Sequence, residues 1–416
     1  MSAAKGIADL MMLKSAPKGY TLDTHRASSP AATLKQVQGA VPKAGITRVA
    51  DITGLDRIGI PVFTSVRPGA AGGAVTVYAG KGFTKEEAQV SAIMEGIERH
   101  AAEPRCCGCL VDSYDELELA HAKGGDAVLD PTKLILPATA SYRSSDRIEW
   151  FRGFSITNGN WILVPAEAVF HPYRRTNQLF RTNTNGLAVG NILEEAVLHG
   201  LMEVIERDAW SLFEYGRLKG RDLKIGPETA GPIGEIAGKL LGAKVKAHAK
   251  DITSDVGVAT VAVALDDEAT RDPALLSLGV GTHLDPEIAV MRAFTEAVQS
   301  RLTTIHGTRE DTYKADFARR AGYERMKRIN RRWFEEEGAA VSMGEMPAYR
   351  STDFLDDIRY TLQRLASVGL NEAVVAELTR SETAVPAVRV IVPGLEVYAM
   401  DKDRAGMRLR GANAPR

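Results

Sequence analysis

The alternation of apolar and polar positions divides the chain into strand-like and helix-like stretches. From Ile58 to Tyr78 the run "IGIPVFTSVRPGAAGGAVTVY" is rich in Val, Thr and Gly, which predicts strands joined by tight turns. Thr84, with Glu87 three residues later, has the form of a capping box and starts a predicted helix. In the middle of the chain, "RIEWFRGFSITNGNWILVPAEAVF" alternates around "TNGN", a hairpin signal. Asn191 followed by Glu194 predicts the cap of a second helix through "ILEEAVLHGLMEVIERDAWSLF". Strands are expected at "GVATVAVALDD" and "ALLSLGVGTHL", and Asp285-Pro286 then opens a third helix, with Asp as cap and Pro at the first helical position. Residues 307–380 are charged and helical in flavour and read as a solvated insertion whose arginines belong to the surface. A closing strand is expected in "AVRVIVPGLEVYAM". Residues 1 to about 50 are mixed, a loop followed by a helix start.

Composition adds mostly exclusions. The 416 residues are 44% hydrophobic and 25% charged, which is ordinary for a globular protein with a sizeable core. With 52 basic and 53 acidic residues, no global charge excess points to nucleic acid. Neither a signal peptide nor a membrane span is apparent, so a cytoplasmic location is expected. All three cysteines, Cys106, Cys107 and Cys109, fall in "PRCCGC". An odd cluster is no secreted disulfide framework, and no second cysteine pair completes a zinc site, so these read as reduced thiols.

The chemistry lies on the three helices. "MEGIERHA" (94–101) and "MEVIERDA" (202–209) are nearly the same octet. On the first helix Ser91, Glu95 and Glu98 fall within about 60° of one another at 100° per residue. On the second, Glu195, His199, Glu203 and Glu206 share a face; on the third, Arg292, Glu296 and Gln299 repeat the first helix's spacing. Glu-x-x-Glu on a helix is usually a wet outer face. Here, however, like charges stack along one side, an arrangement that calls for a cation when packed. Magnesium suits hard carboxylate oxygens and binds through one or two of them together with nucleotide phosphates. Backbone N–H groups behind Gly80–Gly82, Gly186–Gly190 and Gly279–Gly281 are candidate phosphate contacts, with Arg292 as a fixed guanidinium. Neither a P-loop nor a Rossmann fingerprint is present: "YAGKGFT" around Lys81 lacks the required order.

"SAIMEGIER", "NTNGLAVGNILEEAVLHGLMEVIERDAW" and "THLDPEIAVMRAFTEAVQSRL" together resemble, in order and spacing, the three signatures of the YcaO family over roughly residues 20 to 405. The resemblance implies a mixed α/β (α+β) fold of several subdomains around an ATP and Mg2+ cleft. It implies a YcaO catalytic domain over 51–405 carrying the helical insertion, an N-terminal segment 1–50 packed on the core, and a tail at 406–416. By motif position Glu95, Glu98, Glu195, Glu203, Glu206 and Glu296 resemble metal-contacting acids. Lys18, Arg26, Ser91, Asn185, Glu195 and Arg292 resemble nucleotide contacts, with Arg292 and Glu206 as the catalytic pair; His199 reads as packing within its helix.

Such enzymes activate peptide backbone amides with ATP. The chain ends "RGANAPR", unlike the proline-rich tail of azoline-forming relatives. "GYTLDTHRASSPAATL" and "VPGLEVYAMDKDRAGMRLRG" are similar to an archaeal subgroup linked to thioamidation of a glycine in the alpha subunit of methyl-coenzyme M reductase. This implies a peptide substrate from that subunit, a sulfide donor, a TfuA-like accessory protein and a homodimer. An azoline-forming cyclodehydratase and a non-catalytic ATP-binding scaffold are the alternatives.

Overall fold

The computed structural model describes residues 13–22, 24–104, 108–175, 178–308, 313–336 and 338–411. Cys106, Cys107 and the end of the tail, 412–416, lie outside them. The fold is mixed α/β, with three sheets that each support one long helix.

The first sheet joins β1 (Arg48–Asp51), β2 (Val62–Val66) and β3 (Val77–Lys81) in antiparallel order, with Phe63 opposite Gly80. The expected boundary at residue 50 therefore falls inside β1. Helix α1 (Lys85–Ala102) packs on β2 and β3. It starts as its sequence predicts: the Thr84 hydroxyl accepts from the Glu87 amide and the Glu87 carboxylate accepts from the Thr84 amide.

The largest sheet contains β4 (Leu110–Ser113), β5 (Ala127–Val128), β6 (Arg147–Ser155), β7 (Asn160–Pro165), β8 (Leu187–Val189), β13 (Val374–Glu377) and β14 (Ala387–Ile391). β6 and β7 form the predicted hairpin, with Ser155 opposite Asn160. Helix α2 (Leu193–Tyr215) lies against β14 and β8. β13 corrects the sequence reading, because it sits between β6 and β14 inside the stretch expected to be a helical insertion. Its Val374, Val375 and Ala376 are buried, so this part of 307–380 is core. Helix α4 (Phe354–Ser367) also packs on α2 through Phe354, Ile358 and Leu365.

The third sheet runs β12 (Ser277–Thr282), β11 (Thr260–Asp266), β10 (Lys246–Asp251), β9 (Arg221–Asp222), all antiparallel. Every residue of β11 is buried. Its alternation explains why: Val261, Val263 and Leu265 face helix α3 (Pro286–His306), while Ala262 and Ala264 meet Phe213, Trp333 and Phe334. α3 begins with Asp285 accepting from the Glu287 amide and Pro286 at its first position, as predicted.

The second cap differs from expectation. Ile192 is the N-cap of α2 and gives no side-chain cap, because Asn191 turns its amide to Glu195 and accepts from Thr33. The glycines before α1 and α3 have a packing role of their own. A Cβ on Gly80 would overlap the backbone of Ala88 and Ala92, and one on Gly279 that of Ala293 and Ala297. These glycines let each strand seat directly against its helix.

Among the described residues no helix is long and apolar enough to cross a membrane. Gly279→Ala is expected to cost about 1–3 kcal/mol through overpacking, measured by urea unfolding, since the clash is with helix backbone that has no rotamer to yield. Stability within 0.5 kcal/mol of the parent, roughly the range of a neutral surface change, would contradict the packing described.

Candidate active site

α1, α2 and α3 turn their polar faces to one cleft of about 970 Å3. Ser91, Glu95 and Glu98 come from α1; Glu195, His199, Glu203 and Glu206 from α2; Arg292, Glu296 and Gln299 from α3. The two octets therefore stand on opposing walls. The i, i+4, i+7 spacing carries the polar side chains into the cleft while Ile93, Ile97, Val197, Leu201, Val290 and Phe294 take the remaining faces into the core.

Each wall also supplies cations. Arg99 lies 3.1 Å from Glu95 and 3.8 Å from Glu98, and Arg207 lies 3.5 Å from Glu206. Lys81, at the end of β3, pairs with Glu296 across the cleft. Arg26 reaches Glu195 at 3.2 Å, and the same carboxylate accepts from the Ala27 amide at 2.9 Å and from Asn191 at 3.1 Å. Arg292 sits 3.4 Å from the His199 ring. Seven glutamates (the six named and Glu87) face five basic side chains (Arg26, Lys81, Arg99, Arg207, Arg292), leaving carboxylates in excess.

This excess shows in the proton affinities. Burial raises the Glu98 carboxyl well above its ordinary range; Arg99 opposes this, and the charges of Glu203 and Glu95 add to it. Burial likewise raises Glu203, against Arg207 and Arg99. Glu206 is pushed up to about 7 by burial, with Arg207 opposing and Glu296 reinforcing. Glu296 goes the other way: burial would raise it, but Lys81 and Arg207 outweigh that and hold it low. His199 is held neutral, first by burial and then by the positive charge of Arg292.

Two of the expected contacts are placed elsewhere. Lys18 is not in the cleft: its ammonium is buried against Asp357 at 2.6 Å and donates to the Ser351 carbonyl at 3.0 Å, pinning the N-terminal segment to α4. Asn185 faces a separate cavity beside Arg389. Asn191 lines the cleft instead, just before the second helix and four residues ahead of Glu195, whose carboxylate it contacts. Lys81 was visible only as part of a failed P-loop match. His199, read as packing within its helix, lines the cleft. Cys109 is partly buried, and burial pushes its thiol up, away from thiolate chemistry.

The residues fit Mg2+ and a nucleotide. Carboxylate oxygens predominate on the facing walls, the ligands a hard cation takes. Among the described residues no three His, Cys, Asp or Glu side chains stand close enough together to hold a metal ion by themselves. Arg292 Nε, Arg99 Nη1, Arg207 Nε and His199 Nδ1 are buried without a hydrogen-bond partner among the described residues, unmet capacity suited to a polyanion.

Known proteins resemble this chain in sequence and in fold. Residues 79–396 match the family described as YcaO cyclodehydratase, ATP- and Mg2+-binding. An uncharacterized protein of Methanothermobacter thermautotrophicus is 49% identical over 93% of this chain and 99% of its own length. A protein of Rhizobium leguminosarum bv. trifolii, named for its place in the tfuA 3′ region, is 32% identical over 97% of both chains. The structure of YcaO from Methanopyrus kandleri bound with AMPPCP and Mg2+ superposes with a TM-score of 0.77 at 31% identity, covering 94% of this chain and 98% of that one. A heterocyclase in complex with substrate and cofactor shares the fold with a TM-score of 0.82 at 21% identity, over 96% of this chain and 56% of that one.

The carboxyl cluster makes stability depend on pH. Glu206 moves from 4.5 to about 7, and Glu98 and Glu203 move in the same direction. A raised carboxyl pKa favours the folded chain while the group is protonated, so this contribution is complete below about 4.5 and is lost as pH rises through about 7. The Tm of the free chain is expected to fall across that window, and less so in Glu206→Gln. Mg2+ with a non-hydrolysable ATP analogue should raise Tm more at about pH 8 than at about pH 6. Equal ligand shifts at both pH values would contradict the cluster's role.

Proposed function

The chain belongs to the YcaO family, and on that premise we propose that it uses Mg2+-ATP to convert a glycine backbone amide in the alpha subunit of methyl-coenzyme M reductase to a thioamide. The observation that carries the reading is the convergence of three glutamate-bearing helices and Arg292 on one cleft. The order of motifs and the similarity of the flanking segments to the thioamidating subgroup support the choice of product.

An amide carbonyl is a weak electrophile and its oxygen a poor leaving group. Hydrosulfide adds to the carbonyl carbon, giving a tetrahedral oxyanion. That oxygen attacks the γ-phosphorus of ATP and ADP departs. Collapse of the phosphorylated adduct expels the oxygen as inorganic phosphate, the sulfur loses its proton, and C=S remains. Sulfide, ATP and amide thus become thioamide, ADP and phosphate, with no oxidant needed. Bound Mg2+ supplies charge neutralisation to the phosphates.

The chain's own residues bind and orient. Glu95, Glu98, Glu195, Glu203, Glu206 and Glu296 hold the metal ions. Ser91, Arg26 and Asn191 contact the nucleotide. Arg292 faces the transferring phosphoryl group, where a fixed guanidinium offsets developing charge. Burial lowers the proton affinity of Arg292, and the charge of Glu206 opposes this and favours the guanidinium. Lys18 and Asn185 have no part in this scheme. We further propose action in the cytoplasm as a homodimer with a TfuA-like partner, supported by the relative from the tfuA 3′ region.

The family description supports a second reading, azoline formation, in which a substrate Cys, Ser or Thr replaces sulfide. A reductase glycine peptide incubated with protein, Mg2+-ATP and sulfide is expected to gain about 16 Da, with ADP released in step. Loss of water from a Cys, Ser or Thr peptide without sulfide would replace the first reading by the second. Glu203→Gln is expected to lower turnover by at least about 100-fold while leaving the unfolding transition intact, since one metal-holding charge is removed at constant volume. Wild-type turnover in that variant would contradict the assignment.

A further inference from the structure

On another face of α2 from the glutamates, β14 and the loop after it bound a smaller cavity of about 60 Å3. Its lining carries three basic side chains, Lys133, Arg389 and Arg404, two asparagines, Asn183 and Asn185, and among the described residues no aspartate or glutamate. Arg389 and Arg404 are 4% and 5% exposed. Both spend their hydrogen bonds on carbonyl oxygens. Arg389 donates from Nε to Ala168 at 3.0 Å and from Nη2 to Asn183 at 2.9 Å. Arg404 donates from Nε to Ile135 at 2.8 Å and from Nη2 to Leu134 at 2.5 Å, and lies over the Phe180 ring.

Carbonyls satisfy hydrogen bonds but do not balance charge. Two buried guanidiniums beside one cavity without a carboxylate partner are costly to keep. The acids whose field reaches Arg389, Glu203 and Glu98, stand on the cleft side, where Arg207 and Arg99 already act on them. Burial lowers both arginines to about 10, a direction that Glu203 and Glu98 oppose only from the cleft side at Arg389 and that Asp401 opposes at Arg404 without forming an ion pair among the described residues.

Two polar atoms here have no partner. Arg389 Nη1 and Asn185 Oδ1 are buried and unbonded. Rotating the Asn185 amide by half a turn is isosteric and presents Nδ2, a second donor, at the same place. Lys133 is exposed and brings a third positive charge to the lining.

We infer that this cavity binds a small tetrahedral oxyanion of the phosphate or sulfate class, held by Arg389 Nη1, Arg404, Lys133 and the Asn185 amide. The volume has room for about two waters, the scale of a single such ion rather than of a nucleotide. The assignment is independent of the chemistry in the main cleft.

Selenate, a tetrahedral dianion with an anomalous scatterer, diffused into crystals of the full chain tests it directly. The expected result is a selenium peak within hydrogen-bonding reach of Arg389 Nη1. In solution, sulfate binding is measured by calorimetry with the main cleft filled by Mg2+ and a non-hydrolysable ATP analogue. Lys133→Ala, an exposed change that leaves the fold intact, is expected to weaken sulfate about twofold to fivefold, and Arg404→Met to weaken it further. Only water in the cavity, or sulfate binding unchanged in Lys133→Ala, would overturn the inference. If the main cleft fails to take the nucleotide, the crystal experiment still decides this site.

Discussion

Repulsion among carboxylates that share a partly desolvated cleft is the constraint on which the rest of the structure depends. Glu98, Glu203 and Glu206 all have raised proton affinities because water has been removed and like charges stand near. Arg99 and Arg207 relieve part of this, and Lys81 relieves Glu296. Protons meet the remainder in the free chain, and metal ions can take their place. A site that stores protons where it will hold cations is tuned for binding, and such sites are where perturbed groups cluster.

Everything around the cleft serves to hold those acids apart and rigid. Each long helix lies chiefly on its own sheet and also touches a strand of a neighbouring one, so the walls brace one another. Gly80 and Gly279 bring the strands into backbone contact with α1 and α3. Arg301, on α3 beyond the polar face, is 1% exposed and tied to Asp56 at 2.8 Å and Asp267 at 2.9 Å. The outermost described segments are fastened as well: Lys18 to Asp357, and Arg408 to Asp208 of α2 at 2.9 Å. These buried pairs act less through net stabilisation than by fixing position, since breaking one strands a charge.

Much of this was legible in the sequence because it is local. The Thr84–Glu87 box and Asp285-Pro286 mark two helix starts from side chains that act within four residues. Helical spacing predicted which glutamates share a face, and the structure brings those faces together. What required the folded chain was non-local. Lys18 seemed to belong to the phosphates until Asp357, far along the chain, supplied its partner. Asn185 and Asn191 differ in sequence by a short step, but one lies before the helix and the other at its mouth. β13 hid in a charged stretch because its neutral run is only four residues long and one of the two strands that bury it, β6, lies far earlier in the chain.

The central claim is that cations replace protons on the carboxylate cluster, and counting those protons tests it most directly. Binding of Mg2+ and a non-hydrolysable ATP analogue near pH 7, followed by calorimetry in buffers of different ionisation enthalpy, gives the number released. The account predicts net release of about one proton or more per chain, reduced in Glu206→Gln. Binding with no proton release, or with uptake, would show that the acids are already ionised in the free chain, and the electrostatic account of this cleft would fail.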